Sequence, residues 1–261
     1  MNLPFPITDV HVHLGPSDTP ELYYPTLSVQ EYLRVMEATG IERAYAFAPM
    51  REGGYRQANA NLLEAARASG GKLGAFARLG GRRQPITEPH VWMVRRAIGK
   101  ARRPRPSDVD SLEGYAGVKL LPHLDGIPSR SLMDEIAERE LPVLVHGGRF
   151  STPRWVARTI LRRTTGPLIL AHLGSFPSER RLLEDAVALA RREPRVWLDT
   201  SGVWEADFVR YAAARVPEQL IFGSDAPLTH PGVAWTHLAR SLADDGLLRR
   251  MSQQACHEVF L

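Results

Sequence analysis

Short apolar runs recur along this chain. Each ends on a polar residue and leads, through a Gly-, Ser- or Pro-rich turn, into a stretch of helical periodicity. The clearest are residues 141–145 closing on His146, residues 167–171 closing on His172, and residues 220–223 leading into Ser224 and Asp225. Runs of this length bounded by turn residues read as buried strands, and their alternation with helices calls for a parallel sheet with helical crossovers. The same unit is read at residues 7–14, 41–48, 72–79, 117–121 and 196–200. Helices are expected over residues 56–69, 90–98, 131–140, 153–163, 178–192, 205–215, 233–242 and 247–260, and a further one is headed by the Ser28/Glu31 capping box and ended by Gly40. Eight such strands in 261 residues fit a (β/α)8 TIM barrel, an α/β fold that takes about 250 residues. No Pro/Ser/Gly linker interrupts the chain, so residues 1–261 are expected to form one domain. A doubly wound open sheet is the alternative, but no glycine fingerprint follows the first strand.

Composition narrows the function classes. The chain carries a net charge of +4 with 24% charged residues, which raises the question of nucleic acid. The densest basic run, residues 95–105, is broken by Pro104 and then Pro106 and has no interleaved aromatics, so it reads as a solvated helix end and loop. Neither a membrane span nor the basic and apolar regions of a signal peptide is found, and the expected compartment is the cytoplasm. Cys256 is the single cysteine, so a metal site must be built from His and carboxylates. It is read as a buried spectator.

Asp9-Val10-His11-Val12-His13 lies on the first expected strand. Alternate side chains of a strand share a face, so Asp9, His11 and His13 are expected on one side and Val10 and Val12 on the other. Two imidazoles then converge, and neutral imidazole is a common ligand for zinc and related ions. In a barrel, functional groups stand at the C-terminal strand ends. Those positions hold His11 and His13, Lys119, His146, His172 and Asp225. Buried His and Asp need partners, and a barrel mouth offers few except a metal or one another.

These motifs, with Gly117-Val-Lys-Leu-Leu-Pro122, Leu141-Pro-Val-Leu-Val-His-Gly-Gly148, Ile169-Leu-Ala-His-Leu-Gly174, Leu198-Asp-Thr-Ser201 and Phe222-Gly-Ser-Asp-Ala-Pro227, occur in order over nearly the whole chain. It resembles the amidohydrolase superfamily, in the amidohydrolase-related branch that includes non-oxidative decarboxylases. The resemblance implies one divalent ion, Zn²⁺ first and Mn²⁺ second, held by His11, His13, His146 and Asp225. It further implies Asp225 as general base and His172 as the group that orients water or polarises a carbonyl. Lys119 stands where some members carry a carbamylated lysine bridging two metals; one metal and an unmodified lysine clamping a substrate carboxylate is the preferred reading. Relatives often read Lys-Leu-His-Pro on the fourth strand. Here Leu121 replaces that His, and His123 after the proline is either substrate-facing or a loop residue.

Loops over the mouth are expected to select the substrate. Arg51, Tyr55 and Arg56 follow strand two, Arg78 and Arg82 lie near the end of strand three, Arg149 follows His146, and Trp204 follows strand seven. Arginine pairs carboxylates bidentately, which suggests a small anionic substrate; each of these arginines also suits a solvated surface. Trp204 is either an apolar wall or a packing residue. His90, His230, His237 and His257 have no ligand spacing. The first functional reading is hydrolysis of an amide, lactone or related C–N or C–O bond, toward which Lys119 and the short chain lean. Alternatives are non-oxidative decarboxylation of an aromatic or muconate-like acid and a catalytically silent binding barrel, since a fold alone does not fix a function. No nucleic-acid or membrane partner is expected, and a homodimer, in which the Arg-rich helix 179–192 could pack between subunits, is a family-level expectation.

Overall fold

Eight strands pair in parallel and in chain order. They are β1 (Ile7–His13), β2 (Ile41–Phe47), β3 (Leu73–Leu79), β4 (Gly117–Leu120), β5 (Val143–Val145), β6 (Leu168–Leu170), β7 (Val196–Asp199) and β8 (Leu220–Ile221). The computed structural model describes residues 5–17, 25–51, 53–81 and 108–260. The helix expected over 90–98 and the residues Arg82 and His90 lie outside them. Backbone hydrogen bonds return the last strand to the first: Val10 N–H donates to Phe222 O (3.0 Å), Asp225 N–H to His11 O (2.9 Å) and His13 N–H to Ala226 O (2.7 Å). These bonds close the ring, and the chain forms the expected TIM barrel.

Helices α1 (Val29–Thr39), α2 (Arg56–Ala68), α3 (Pro122–Asp125), α4 (Arg130–Glu138), α5 (Pro153–Thr159), α6 (Arg180–Arg192), α7 (Ala206–Ala213), α8 (Pro231–Leu242), α9 (Asp245–Arg249) and α10 (Ala255–Phe260) follow the strands. The capping box forms as expected: the Ser28 side chain accepts from Glu31 N–H, and Gly40 ends α1 in the left-handed region at φ 74°. Two expectations change in detail. The helix read over 153–163 stops at Thr159 and continues as a 3₁₀ turn, and the one read over 247–260 is interrupted by a π-helical stretch, Arg250–Gln254. The short helix α3, headed by Pro122, was not read from the sequence; at one turn it is too brief for a periodic signal.

Strand periodicity sorts the apolar residues into two layers. Val143 and Val145 pack with Met133, Val156 and Leu183 of the surrounding helices. Leu144 between them joins Val10, Tyr45, Phe76, Ile169, Trp197 and Ile221 in the barrel interior. At the N-terminal end of the barrel, α10 closes that interior. Phe260 stacks on Tyr45 with ring centroids 3.7 Å apart, and Cys256 is buried there, its thiol pushed up to about 12 by burial.

β1 departs from simple alternation. Asp9 pairs with Ala44 and Val12 with Ala46, so an extra β1 residue is inserted opposite β2. Such a bulge reverses which face the following side chains take. Val10 accordingly belongs to the interior layer and Val12 to the helix layer. The expectation that Asp9 shares a face with His11 and His13 is corrected by this shift: the Asp9 carboxylate accepts from Tyr32 OH of α1 (2.9 Å) and from Ser224 N–H (2.9 Å).

Truncating an interior side chain leaves a hole in a closed ring that cannot collapse easily. Ile169→Ala is expected to lower unfolding free energy by about 2–5 kcal/mol, read by chemical denaturation.

Candidate active site

The C-terminal strand ends bring six chemical groups to one place. His11 and His13 come from β1, Lys119 from β4, His146 from the residue after β5, His172 from the turn after β6, and Asp225 from the turn after β8. One ligand atom each from His11, His13 and Asp225 lies within 4.8 Å of the other two. His11 Nε2 is 3.3 Å and His13 Nε2 3.1 Å from Asp225 Oδ1. Lys119 Nζ stands 3.5 Å from His11 Nε2 and 4.6 Å from the centre of the Phe47 ring.

Burial decides the charge states. Desolvation, reinforced by the Lys119 cation, pushes His11 down to about 3 and His13 well below the usual imidazole range. Both rings are therefore neutral near pH 7 and carry lone pairs. Burial also lowers Lys119 to about 7, against the opposing pull of Asp199 and Asp225. His146 falls well below its ordinary value, through burial and then the neighbouring His172 and His123 rings. Two neutral imidazoles and a carboxylate form a donor set suited to zinc and related divalent ions. The residues present therefore fit a metal.

Behind these groups lies the end of β7. Burial alone would raise the Asp199 carboxyl, but the His11 imidazole and the donors around it outweigh that and hold it well below the carboxylate range. Its Oδ2 is 2.9 Å from His11 Nδ1, and its Oδ1 accepts from His172 N–H (3.1 Å), Ser201 N–H (2.9 Å) and the Ser201 hydroxyl. His172 Nδ1 is 2.9 Å from Ser201 O, and its Nε2 is 3.1 Å from His146 Nδ1.

The backbone bends sharply to make these approaches. His172, Leu173 and Asp225 sit at φ 59°, 50° and 66°, a left-handed conformation that costs a non-glycine residue roughly 1–3 kcal/mol. The bonds from His172 N–H to Asp199 and from Asp225 N–H to His11 O hold two of them there. At Gly202, φ +60°, a Cβ would meet His172 Nδ1 at 3.2 Å and Asp225 Oδ2 at 3.3 Å, so glycine is what lets this turn close on the site.

Residues 8–254 match the amidohydrolase family. The chain belongs to the amidohydrolase family. That family is typically metal-dependent, which agrees with the donor set. No curated protein matches the chain at the sequence level. Among solved structures, the chain resembles a probable 2-pyrone-4,6-dicarboxylic acid hydrolase of Acinetobacter baumannii, with TM-score 0.67, 16% identity, and 97% of this chain and 98% of that one covered. It also resembles 2,6-dihydroxybenzoate decarboxylase from Rhizobium, with TM-score 0.65, 15% identity and coverage of 97% and 98%. A third is 5-carboxyvanillate decarboxylase from Sphingomonas paucimobilis, with TM-score 0.63, 12% identity and the same coverage of 97% and 98%. At these identities the likeness shows the fold.

The residues expected to form the site separate into three sets. His11, His13, Asp225 and Lys119 stand together. His146 and His172 adjoin them, but the nitrogens of His146 are not in the three-residue cluster; its Nδ1 turns to His172. His123, on α3, stacks on Phe150 (5.0 Å) and lies 5.1 Å from the His146 ring, which places it beside the site.

The remaining residues are rim or scaffold. Trp204 is half exposed, 5.7 Å from the His237 ring. Arg51 donates to Pro16 O (2.8 Å), Arg56 pairs with Asp110, and exposed Arg149 pairs with Glu179 (3.2 Å). Tyr55 and Arg78 correct the expectation of substrate contacts, because both are fully buried. Arg78 Nε and Nη2 donate to Asp125 Oδ2 (3.0 and 2.8 Å), its Nη1 to Ala48 O (3.0 Å), and Tyr55 OH to Asp125 Oδ1 (2.7 Å). A guanidinium removed from water needs such partners, and here they tie the end of β3 to the segments that follow β2 and β4. Asp125 carries no signal of its own in the sequence, and Asp199 stands there only as part of the Leu198-Asp-Thr-Ser201 motif, with no role read for it.

Removing the Arg78 side chain strands a buried carboxylate. Arg78→Met is expected to cost about 3–5 kcal/mol of stability, whereas Arg149→Ala, at an exposed pair, should change it by less than about 1 kcal/mol. Denaturant titration of both variants checks the contrast.

Proposed function

We propose that this amidohydrolase is a metal-dependent hydrolase of a small carboxylate-bearing molecule, cleaving an amide, lactone or related C–N or C–O bond. The observation that carries the reading is the convergence of neutral His11 and His13 on Asp225, with the buried amine of Lys119 beside them. Held by these three residues, a divalent ion would supply Lewis-acid polarisation of the scissile carbonyl. Zn²⁺ suits the donors best and Mn²⁺ next. His146 joins as a fourth donor through Nε2, since its Nδ1 is engaged by His172.

Asp225 turns Oδ1 to the two rings. Its Oδ2 is then the atom that takes a proton from the attacking water and returns it to the leaving group. Lys119, unmodified, pairs with the substrate carboxylate through Nζ. His172 has both ring nitrogens engaged by the protein, so it acts on His146 rather than on the substrate. His123, Trp204, Arg51 and Arg149 are rim groups that bias which anion enters. Lys119 carbamylated and bridging a second ion is the variant of this reading that metal counting excludes or establishes.

Non-oxidative decarboxylation of an aromatic or muconate-like acid is the second reading. It is favoured by the aromatic rim: Phe176 lies 5.5 Å from the His146 ring and 5.2 Å from the His172 ring, and Phe150 stacks on His123. Such a rim suits a flat ring.

Elemental analysis of protein purified without chelator should find about one divalent ion per chain, with no added carbon dioxide in the intact mass. The His11→Ala/His13→Ala double variant should retain the barrel by circular dichroism and lose the ion. Full metal occupancy there would remove these residues as ligands. With a panel of carboxylated lactones, amides and aromatic acids, product analysis separates hydrolysis from CO₂ release. On the active compound, Asp225→Asn should lower kcat by roughly 10²–10⁴-fold, the usual worth of a general base; near-normal turnover would exclude Asp225 from that role.

A further inference from the structure

β7 supplies no group to the proposed ligand set, yet its end touches two of the histidines of the site, His11 and His172. Asp199 Oδ2 and Ser201 Oγ both lie 2.9 Å from His11 Nδ1, while Ser201 O and Ser201 Oγ lie 2.9 and 3.0 Å from His172 Nδ1. A backbone carbonyl can only accept, so His172 must carry its proton on Nδ1. An ionised carboxylate can only accept, and of the two beside His11, Asp199 Oδ2 at 2.9 Å from Nδ1 is nearer than Asp225 Oδ1 at 3.3 Å from Nε2, where Lys119 Nζ also approaches as a donor (3.5 Å); the ring proton of His11 is therefore placed on Nδ1. The Ser201 hydroxyl agrees with both assignments: its hydrogen goes to Asp199 Oδ1, leaving its lone pairs to receive the two ring N–H groups. A neutral His172 then has its lone pair on Nε2, 3.1 Å from His146 Nδ1, and His146 must donate from Nδ1. Its own Nε2 is left without a hydrogen.

We propose that the turn after β7, through the Asp199 carboxylate and the Ser201 carbonyl, sets the ring tautomers of His11, His172 and His146, so that His11 and His146 keep Nε2 as a lone-pair donor. Asp199 is a positioning residue here, acting through the rings it touches. A carboxylate or carbonyl on the far nitrogen of a ligating imidazole is a recognised way of fixing ring orientation and raising basicity. In this chain one turn does so directly for His11 and His172, and reaches His146 only through the His172 ring. The part of this proposal that concerns metal affinity rests on the metal site above, whereas the tautomer pattern does not.

Long-range ¹H–¹⁵N spectra of the histidine rings in metal-free wild-type protein, assigned by single His substitutions, read the pattern directly. His11, His146 and His172 should each show a protonated Nδ1 and a bare Nε2. Any one of the three found protonated at Nε2 overturns the assignment for that ring, and a doubly protonated His172 overturns the relay to His146.

Asp199→Asn tests the cause. Two backbone N–H groups converge on Oδ1, so the amide oxygen takes that side and the NH₂ faces His11 Nδ1. His11 should then move its proton to Nε2, and Zn²⁺ affinity, measured against a competing chelator, should fall about 10–100-fold. Ser201→Ala keeps the carboxylate and the carbonyl, and should leave both the His11 tautomer and the affinity near wild type. An Asp199→Asn protein with unchanged His11 tautomer and unchanged Zn²⁺ affinity refutes the proposal. Should that variant not fold, the wild-type spectra still decide the matter. Should wild-type protein show the expected tautomers and bind no Zn²⁺, the metal reading fails while the tautomer assignment stands.

Discussion

Two of the backbone hydrogen bonds that close the barrel are made by residues of the site. Asp225 N–H donates to His11 O and His13 N–H to Ala226 O, so the seam between the last strand and the first is also where the carboxylate meets the two imidazoles. Ring closure and site assembly are therefore one event. A chain that failed to join β8 to β1 would have an open sheet edge and no cluster, and small errors in the seam would pass directly into the distances between donor atoms. The bulge in β1 belongs to the same arrangement. By reversing the alternation after Asp9 it leaves His11 and His13 at the mouth and sends Asp9 to the helix layer, where burial raises its carboxyl to about 6 despite the hydrogen bonds from Ser224, His11 and Tyr32.

Charge in the interior is arranged as two systems with different work. Arg78 and Asp125 neutralise each other, and both hydrogen-bond further to the segment after β2, through Ala48 O and Tyr55 OH. Around His11 the balance is looser. Lys119 faces Asp199 and Asp225 without a close ion pair to either among the described contacts, and burial brings it to about 7. Perturbed groups gathered in a cleft are a mark of functional sites. The contrast separates two buried basic residues on neighbouring strands, paired in register as Arg78 and Lys119 are: one is closely ion-paired and the other is not among the described contacts.

Much of this could be read from the sequence because it is carried by period and punctuation. Apolar runs of strand length, capped helices and a polar residue after each later strand specify the barrel and place His11, His13, Lys119, His146, His172 and Asp225 at one end. What escaped the reading depends on contacts between residues far apart in the chain. Asp199 is legible only as part of the Leu198-Asp-Thr-Ser201 motif, with nothing to say that it holds His11 from 188 positions away, and nothing local marks Arg78 as the partner of Asp125. The bulge was hidden for a related reason: Asp9-Val-His-Val-His13 alternates perfectly as a string, and only pairing against β2 reveals the extra residue. The π-helical stretch at Arg250–Gln254 likewise keeps an apolar pattern that suits an unbroken helix.

The C-terminal helix adds a consequence of its own. With Phe260 stacked on Tyr45 and Cys256 packed beneath the interior layer, the barrel is a vessel stopped at one end and filled with side chains through its middle. Among the described residues the groups of the site therefore stand at the end opposite this stopper, and the segments fastened by Arg78 and Asp125 form part of the frame around them.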